Sequence, residues 1–186
     1  MNDLDNILQR LDALESRESI RALATAYAIA CDEHDMPRLA ELFAVDAVFC
    51  SPNGAMVSEG RGAILEMFST ILQTRGPGFH WTHDVQSTID PENPDRAAGL
   101  VYSHAETTPH GVVSLAAMKY HDMYIREQGV WRFSRREINF FYYVPIGKYA
   151  EGLKQTDRVY INDAWHPADF PESLDSWRRF AEGDLN

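Results

Sequence analysis

Positive charge is scarce in this chain. Its 186 residues carry 17 lysines and arginines against 28 aspartates and glutamates, a formal charge of −11. Binding to phosphate backbones calls for clustered basic side chains, so the balance argues against DNA or RNA as the main partner. Anionic membrane surfaces are disfavoured for the same reason. No apolar run approaches the ~18 residues of a membrane span. The opening MNDLDNILQR is acidic and amphipathic, unlike the basic start of a signal peptide. Cysteine occurs only at Cys31 and Cys50. Both have apolar neighbours and neither has metal-ligand spacing, so buried free thiols in a reducing cytoplasm are expected. No serine or cysteine sits in a nucleophile motif, and Gly60/Gly62 is too short for a phosphate loop. No His/Asp/Glu cluster has convincing metal-ligand spacing. Small neutral ligands remain open.

What is present fits a globular protein: 45% hydrophobic and 24% charged residues. The charge gathers at the ends. Residues 1–19 hold five acids and two bases, residues 163–186 six acids and two bases, and the middle is much closer to neutral. We expect a domain over residues 1–145 and an irregular C-terminal extension over 146–186, packed on the same domain or on a neighbouring subunit.

Leu4, Ile7, Leu8, Leu11 and Leu14 recur at helical spacing. A second helix is expected from Ser16–Ser19 to Asp32, with Ile20, Leu23, Ala24, Tyr27, Ala30 and Cys31 as its stripe. Asp35 reads as the N-cap of a short helix with Pro37 in its first turn. A strand at Val45–Cys50 and a helix at Ala63–Thr74 follow. Beyond Gly76-Pro-Gly78 the texture turns to strands at Phe79–Ile89, Ala97–Thr107, Val112–Arg126 and Val130–Val144. Helices first and then a meander predict an α+β fold, with helices on one face of an antiparallel sheet. A short helix is expected near Leu174–Phe180.

Asp32 lies at a helix C-terminus, where the macrodipole disfavours a carboxylate by a few tenths to about 1 kcal/mol. It is either a surface acid in a turn or a group held there for a purpose. Tyr27 lies on the buried stripe and needs a partner for its hydroxyl. Strand alternation puts His80, Thr82, Asp84 and Gln86 on one face, and Phe79, Trp81, Val85 and Ile89 on the other with His83. The polar face is either wet surface or a cavity lining. His104 and His121 carry weaker signals in strands, His110 in a turn and His34 near the surface. Arg136 shares a face with Ile138, Phe140 and Tyr142, and is either a pocket guanidinium or an edge-strand ion pair.

Several segments, in order and spacing, are similar to one family. Glu18-Ser-Ile20-Arg-Ala-Leu23, then Tyr27, Asp32 and Asp35, then Leu39, Leu42, Phe43 and Asp46-Ala-Val48, resemble the first-helix signature of the SnoaL-like branch of the nuclear transport factor 2 (NTF2-like) superfamily. Glu59-Gly60-Arg61-Gly62-Ala-Ile64 resembles its second motif and Gly129-Val-Trp131-Arg-Phe133 its late hairpin. The resemblance covers about residues 3–145 and implies a cone-shaped α+β barrel, a curved antiparallel sheet closed by N-terminal helices over a deep pocket. Among its members the chain looks most like the dehydratase types: scytalone dehydratase, the bile-acid 7α-dehydratases and hexachlorocyclohexane dehydrochlorinase. These share an Asp at the end of the long helix and a His opening a strand across the pocket, and Asp32 and His80 stand at those positions. Tyr27, five residues before the Asp, matches the bile-acid type, and Arg136 resembles an Arg of the dehydrochlorinase. The chain departs in having Asp84 where Asn is frequent, Ala116 and Ala117 where scytalone dehydratase has a second His, and Tyr27 where the dehydrochlorinase has Lys.

The resemblance implies a cofactor-independent dehydratase acting on a small apolar cyclic substrate such as a steroid or polyketide. His80 would be the general base, Asp32 its orienting partner and Tyr27 a hydrogen-bond donor. Arg136, Phe49, Met67, Phe140 and Tyr142 are the candidate substrate-binding residues. No metal is required. An isomerase or cyclase using the same pair, or a non-catalytic carrier of an apolar ligand, stands as the alternative. The dehydratases assemble as trimers, so a homo-oligomer is expected, a trimer before a dimer.

Overall fold

The computed structural model describes residues 3–183; the extreme ends of both expected segments lie outside the described residues. The two expected N-terminal helices are one, α1 (Asp3–Asp32). Residues 14–19 contain no Gly or Pro to break it, and Ser16 is buried. Its two halves differ. Leu4, Ile7, Leu8, Leu11 and Leu14 are exposed, whereas Ile20, Leu23, Ala24, Tyr27, Ala30 and Cys31 are buried in the core. Asp35 caps α2 (Met36–Glu41) by accepting from the Arg38 backbone N–H at 3.0 Å.

The sheet is built from β1 (Phe43–Cys50), β2 (Val57–Glu59), β3 (Phe79–Ile89), β4 (Arg96–Thr107), β5 (Ser114–Glu127) and β6 (Val130–Pro145), in the spatial order β2-β1-β6-β5-β4-β3. The sheet is mixed, since β1 joins β6 in parallel while β3 to β6 form the antiparallel meander. Helix α3 (Arg61–Gln73) buries Ile64, Phe68 and Leu72 against it, and α1 packs across β3. Helices and inner sheet face therefore enclose one core. Gly99 is required on β4: a Cβ there would lie 2.8 Å from the Tyr124 ring and 2.9 Å from the Gln86 carbonyl.

Bulges decide which side chains face inward. An irregularity between Thr82 and Val85 shifts the register of β3, so Val85 and Ile89 join the core while Phe79 and Trp81 stay exposed outside. Simple alternation had grouped these four. A second bulge adds one residue to β6, so that Met118 pairs with Phe140 but Ala117 with Tyr142.

The C-terminal residues are held on the outer side of that second bulge. They comprise α4 (Tyr149–Gly152), β7 (Val159–Ile161), β8 (Ala164–His166) and α5 (Asp175–Ala181). Val159 of β7 pairs with Tyr143 of β6. Arg158 donates to the Phe141 carbonyl at 2.9 Å and forms a two-pronged pair with Glu172 at 2.8 and 2.7 Å. Asp169 accepts from the Phe140 backbone N–H at 2.8 Å. The tail thus satisfies the backbone groups that the bulge leaves out of the ladder.

Candidate active site

The end of α1 meets the start of β3. Asp32 accepts the His80 backbone N–H at 2.9 Å on one oxygen, and its other oxygen lies 2.6 Å from His80 Nδ1. Two donors offset the unfavourable position of the carboxylate at a helix C-terminus. They also fix the ring. Both Asp32 oxygens accept, so Nδ1 carries a hydrogen, and in the neutral ring the lone pair falls to Nε2. The His80 and Asp32 side chains are 12% and 23% exposed, sheltered but not sealed.

His80 lines a cavity inside the cone, with about 70 Å³ open to the centres of water molecules. That is room for several waters or a small ring system. Its wall is mainly apolar. Phe49 of β1, Met67 of α3 and Phe140 of β6 line it, as does Tyr27. Ala105 and Ala116, directly paired across β4 and β5, keep one wall thin. Tyr143 lines it and its hydroxyl lies 3.0 Å from Thr107 Oγ1.

Two expectations are corrected. Tyr142 lies on the outer side of the sheet, where its ring packs on Tyr149 and against His104. The β6 bulge at Phe141 puts Tyr143 inside instead. Arg136 does not line the cavity. It is 0% exposed and lies deeper in the cone, its guanidinium carbon 4.0 Å from the centre of the Tyr27 ring, 3.8 Å from Tyr120 and 4.3 Å from Phe133. Its Nε is 3.5 Å from Asp122 Oδ1, an ion pair without a close hydrogen bond. Asp122 accepts from the Tyr124 hydroxyl at 2.9 Å. Burial pushes the Asp122 carboxyl up to about 6, against the pull of Arg136 and the Tyr124 hydrogen bond.

Tyr27 stands between this sealed pair and the cavity. Its ring meets Phe43, Phe68, Tyr120 and Phe133 edge-on, with centroids 5.9–6.3 Å away. Burial raises its hydroxyl pKa well above the ordinary phenol value, with Cys31 and Tyr120 adding and Arg136 opposing. Burial likewise pushes the neighbouring Cys31 thiol up to about 12. Tyr27 and Cys31 are therefore proton-bearing groups at neutral pH.

The remaining histidines point away from the cavity. His83 Nε2 lies 2.8 Å from His104 Nδ1 on the outer face, and His34, His110, His121 and His166 are exposed. Cys31, Arg75, Tyr120 and Tyr143 also line the cavity and were not among the expected site residues. Arg75 lay in the loop just before Gly76-Pro-Gly78, five residues from His80, and that adjacency was the available signal. Tyr120 lay on the same strand face as Met118, which periodicity could have exposed.

Residues 12–137 match the model of the SnoaL-like domain family. The chain belongs to that family. This SnoaL-like domain is also similar in structure to known proteins. A hexachlorocyclohexane dehydrochlorinase of type 2 is 24% identical with a TM-score of 0.67, over 74% of this chain and 93% of that one. A scytalone dehydratase candidate from Novosphingobium aromaticivorans is 20% identical with a TM-score of 0.65, over 72% and 89%. A Mycobacterium tuberculosis protein of unknown function is 23% identical with a TM-score of 0.60, over 80% of each chain. No curated protein matches the sequence. At these identities the similarity establishes the cone fold, and the neighbours include lyase-type enzymes. Among the described residues no helix is long and apolar enough to cross a membrane.

Proposed function

We propose that this protein is a dehydratase, a carbon–oxygen lyase that removes water from a cyclic apolar hydroxy compound without an added cofactor. One observation carries the proposal: His80 is fixed through Nδ1 by Asp32, while the same residue lines an apolar cavity. A ring so held has one free nitrogen, Nε2, and in the neutral imidazole that nitrogen carries the lone pair a general base needs.

In the proposed reaction Nε2 takes a proton from the carbon beside a carbonyl. The electron pair of the broken C–H bond moves into the carbonyl to form an enolate. The enolate then expels hydroxide from the neighbouring carbon, and the imidazolium returns the proton to it. The sum is loss of one water and formation of a conjugated double bond. Asp32 stabilises the imidazolium. Tyr27, kept protonated by burial, donates to the departing hydroxyl or to the carbonyl oxygen. Arg136 acts through Tyr27 and Tyr120, whose rings it underlies, and does not touch the substrate. A positioned base contributes about 10²–10⁴-fold.

The chamber suits the reacting ring of a steroid or polyketide, with further rings lying outward. An isomerase or cyclase would use the same proton transfer without loss of oxygen. We further propose that the protein is cytoplasmic and forms a homo-oligomer, a trimer before a dimer. Two free, buried cysteines fit a reducing compartment, and the exposed Phe79 and Trp81 on the outer sheet face fit a covered surface. The C-terminal extension belongs with its own domain. Mass spectrometry of products from a panel of hydroxysteroids and cyclic β-hydroxy ketones tests the activity. A product lighter by one water is expected. A product of unchanged mass overturns the dehydratase assignment in favour of isomerisation or cyclisation, and no product at all from the panel counts against catalysis.

A further inference from the structure

Arg75 occupies the junction of two spaces. It lines the inner cavity with His80, and it also lines an outer groove of about 430 Å³, by the same measure, that runs past Pro109 and Val112 to Tyr160. Ile71 and Tyr143 are likewise shared. The inner chamber holds only about 70 Å³. A ligand larger than that chamber can extend past Arg75 into the groove.

The backbone carrying Arg75 is held firmly. Arg75 bridges to Pro109, and the His110 N–H donates to the Thr74 carbonyl at 2.7 Å. Thr108 Oγ1 donates to the Pro77 carbonyl at 2.8 Å, and Gly76 is needed because a Cβ there would lie 2.9 Å from that same Oγ1. The clamp positions Arg75 and His80 from one short segment.

Among the described residues the side chain has no partner of its own. The other arginines that are buried or half-buried are Arg38, Arg61, Arg126, Arg132, Arg136 and Arg158. Each has a carboxylate or carbonyl partner. Arg75 is half-buried and, among the described residues, has no ion pair and no side-chain hydrogen bond. Its charge reaches inward, opposing the rise of the Cys31 thiol pKa. Among the described residues it is also the one lysine or arginine lining the inner cavity. Asp32, behind His80, is engaged by that ring, and Asp163 lines the outer groove without approaching Arg75 to ion-pair distance. A guanidinium left unpaired beside apolar walls is a recognition group awaiting an anion, and its planar fork matches a carboxylate.

We propose that Arg75 is a specificity-determining residue that binds a carboxylate on the ligand, so that the substrate class is a cyclic hydroxy acid, its ring in the inner chamber and its carboxylate at the neck. The inference builds on the dehydratase site proposed above, but its test reads binding and needs no turnover. The probes are 2-naphthoate and its neutral counterpart 2-naphthamide, titrated by calorimetry into the full-length wild type and into the Arg75→Gln, Arg75→Lys and His80→Ala variants, with each fold checked by circular dichroism. The wild type should prefer the carboxylate by roughly tenfold or more. Arg75→Gln should lose that preference while still binding the amide, Arg75→Lys should keep part of it, and His80→Ala should keep it in full. Equal binding of the two probes to the wild type, binding of neither, or a preference that survives Arg75→Gln overturns the proposal. So does a preference lost in His80→Ala, which would assign the anion to the imidazole. A naphthoate preference that depends on Arg75, alongside no loss of water from any substrate, would sink the dehydratase and leave the anion site standing. Loss of water from a substrate, alongside equal binding of naphthoate and naphthamide to the wild type, would do the reverse.

Discussion

The cone holds two carboxylate–cation pairs of opposite character. Asp32 and His80 meet where α1 reaches β3, at 2.6 Å and partly open to a cavity. Asp122 and Arg136 meet on the neighbouring strands β5 and β6, at 3.5 Å, with side chains 0% and 1% exposed. The first pair has short hydrogen bonds and leaves one nitrogen free. In the second the guanidinium makes no hydrogen bond, and the faces of three aromatic rings stand in for its missing acceptors. The difference separates a pair open to a ligand from a sealed pair that holds the surrounding rings in place. Tyr27 touches both regions, on the cavity wall with one edge and on Arg136 with its face.

This contrast can be broken first at His80. Replacing it by Ala should lower turnover by about 10²–10⁴-fold in the water-loss assay. The fold should survive, because the side chain stands at a cavity edge and the backbone N–H still holds Asp32, and thermal melting checks that. The sealed pair should behave in the opposite way. Arg136→Met leaves Asp122 buried without its cation and should cost about 3–5 kcal/mol in urea denaturation. The double variant Arg136→Met with Asp122→Leu should recover much of that loss, since a hydrophobic replacement of both partners is often neutral. A double variant no more stable than Arg136→Met would show that the pair is more than a packing device.

Tyr27→Phe sharpens the link between the two regions. It keeps the ring on Arg136 and removes only the hydroxyl, so turnover should fall by roughly 10²-fold with a much smaller change in stability. Asp122 also gives a pH signature. Its carboxyl rises from 3.8 to about 6 on folding, so the native state holds a proton that the unfolded chain releases. That contribution to stability is present below pH 4 and is lost as the pH rises through 6. The urea midpoint of the wild type minus that of Asp122→Asn should therefore decline between pH 4 and 6.5. The smallest effect is at Cys31. With its thiol pushed up to about 12, it should resist iodoacetamide at pH 8 in the native protein and react after unfolding.

Much of this contrast was legible in the chain. Asp32 and His80 could be paired because the family motifs fix where the long helix ends and where the strand begins. The strands β3 to β6 were legible because Pro91, Pro94, Pro109 and Gln128-Gly129 punctuate them. The bulges were not. A bulge shifts side-chain parity without leaving a composition signal, so Val85 and Ile89 were grouped with Trp81, and Tyr142 was chosen where Tyr143 faces in. The depth of Arg136 was hidden for a related reason. Strand alternation gives the face of a residue but not its height along the cone. The single long α1 was missed because its exposed and buried halves carry differently placed stripes. Arg75 was passed over because an arginine in a loop gives no sign, in sequence, of having no partner.

The central claim is that His80, held by Asp32, performs the proton transfer. Its most direct test is the rate of water loss from a cyclic β-hydroxy ketone substrate, read by mass spectrometry for the wild type and for a folded His80→Ala variant side by side. The account predicts a product lighter by one water from the wild type and its near-complete absence from the variant. A His80→Ala protein that produces it at the wild-type rate would contradict the account.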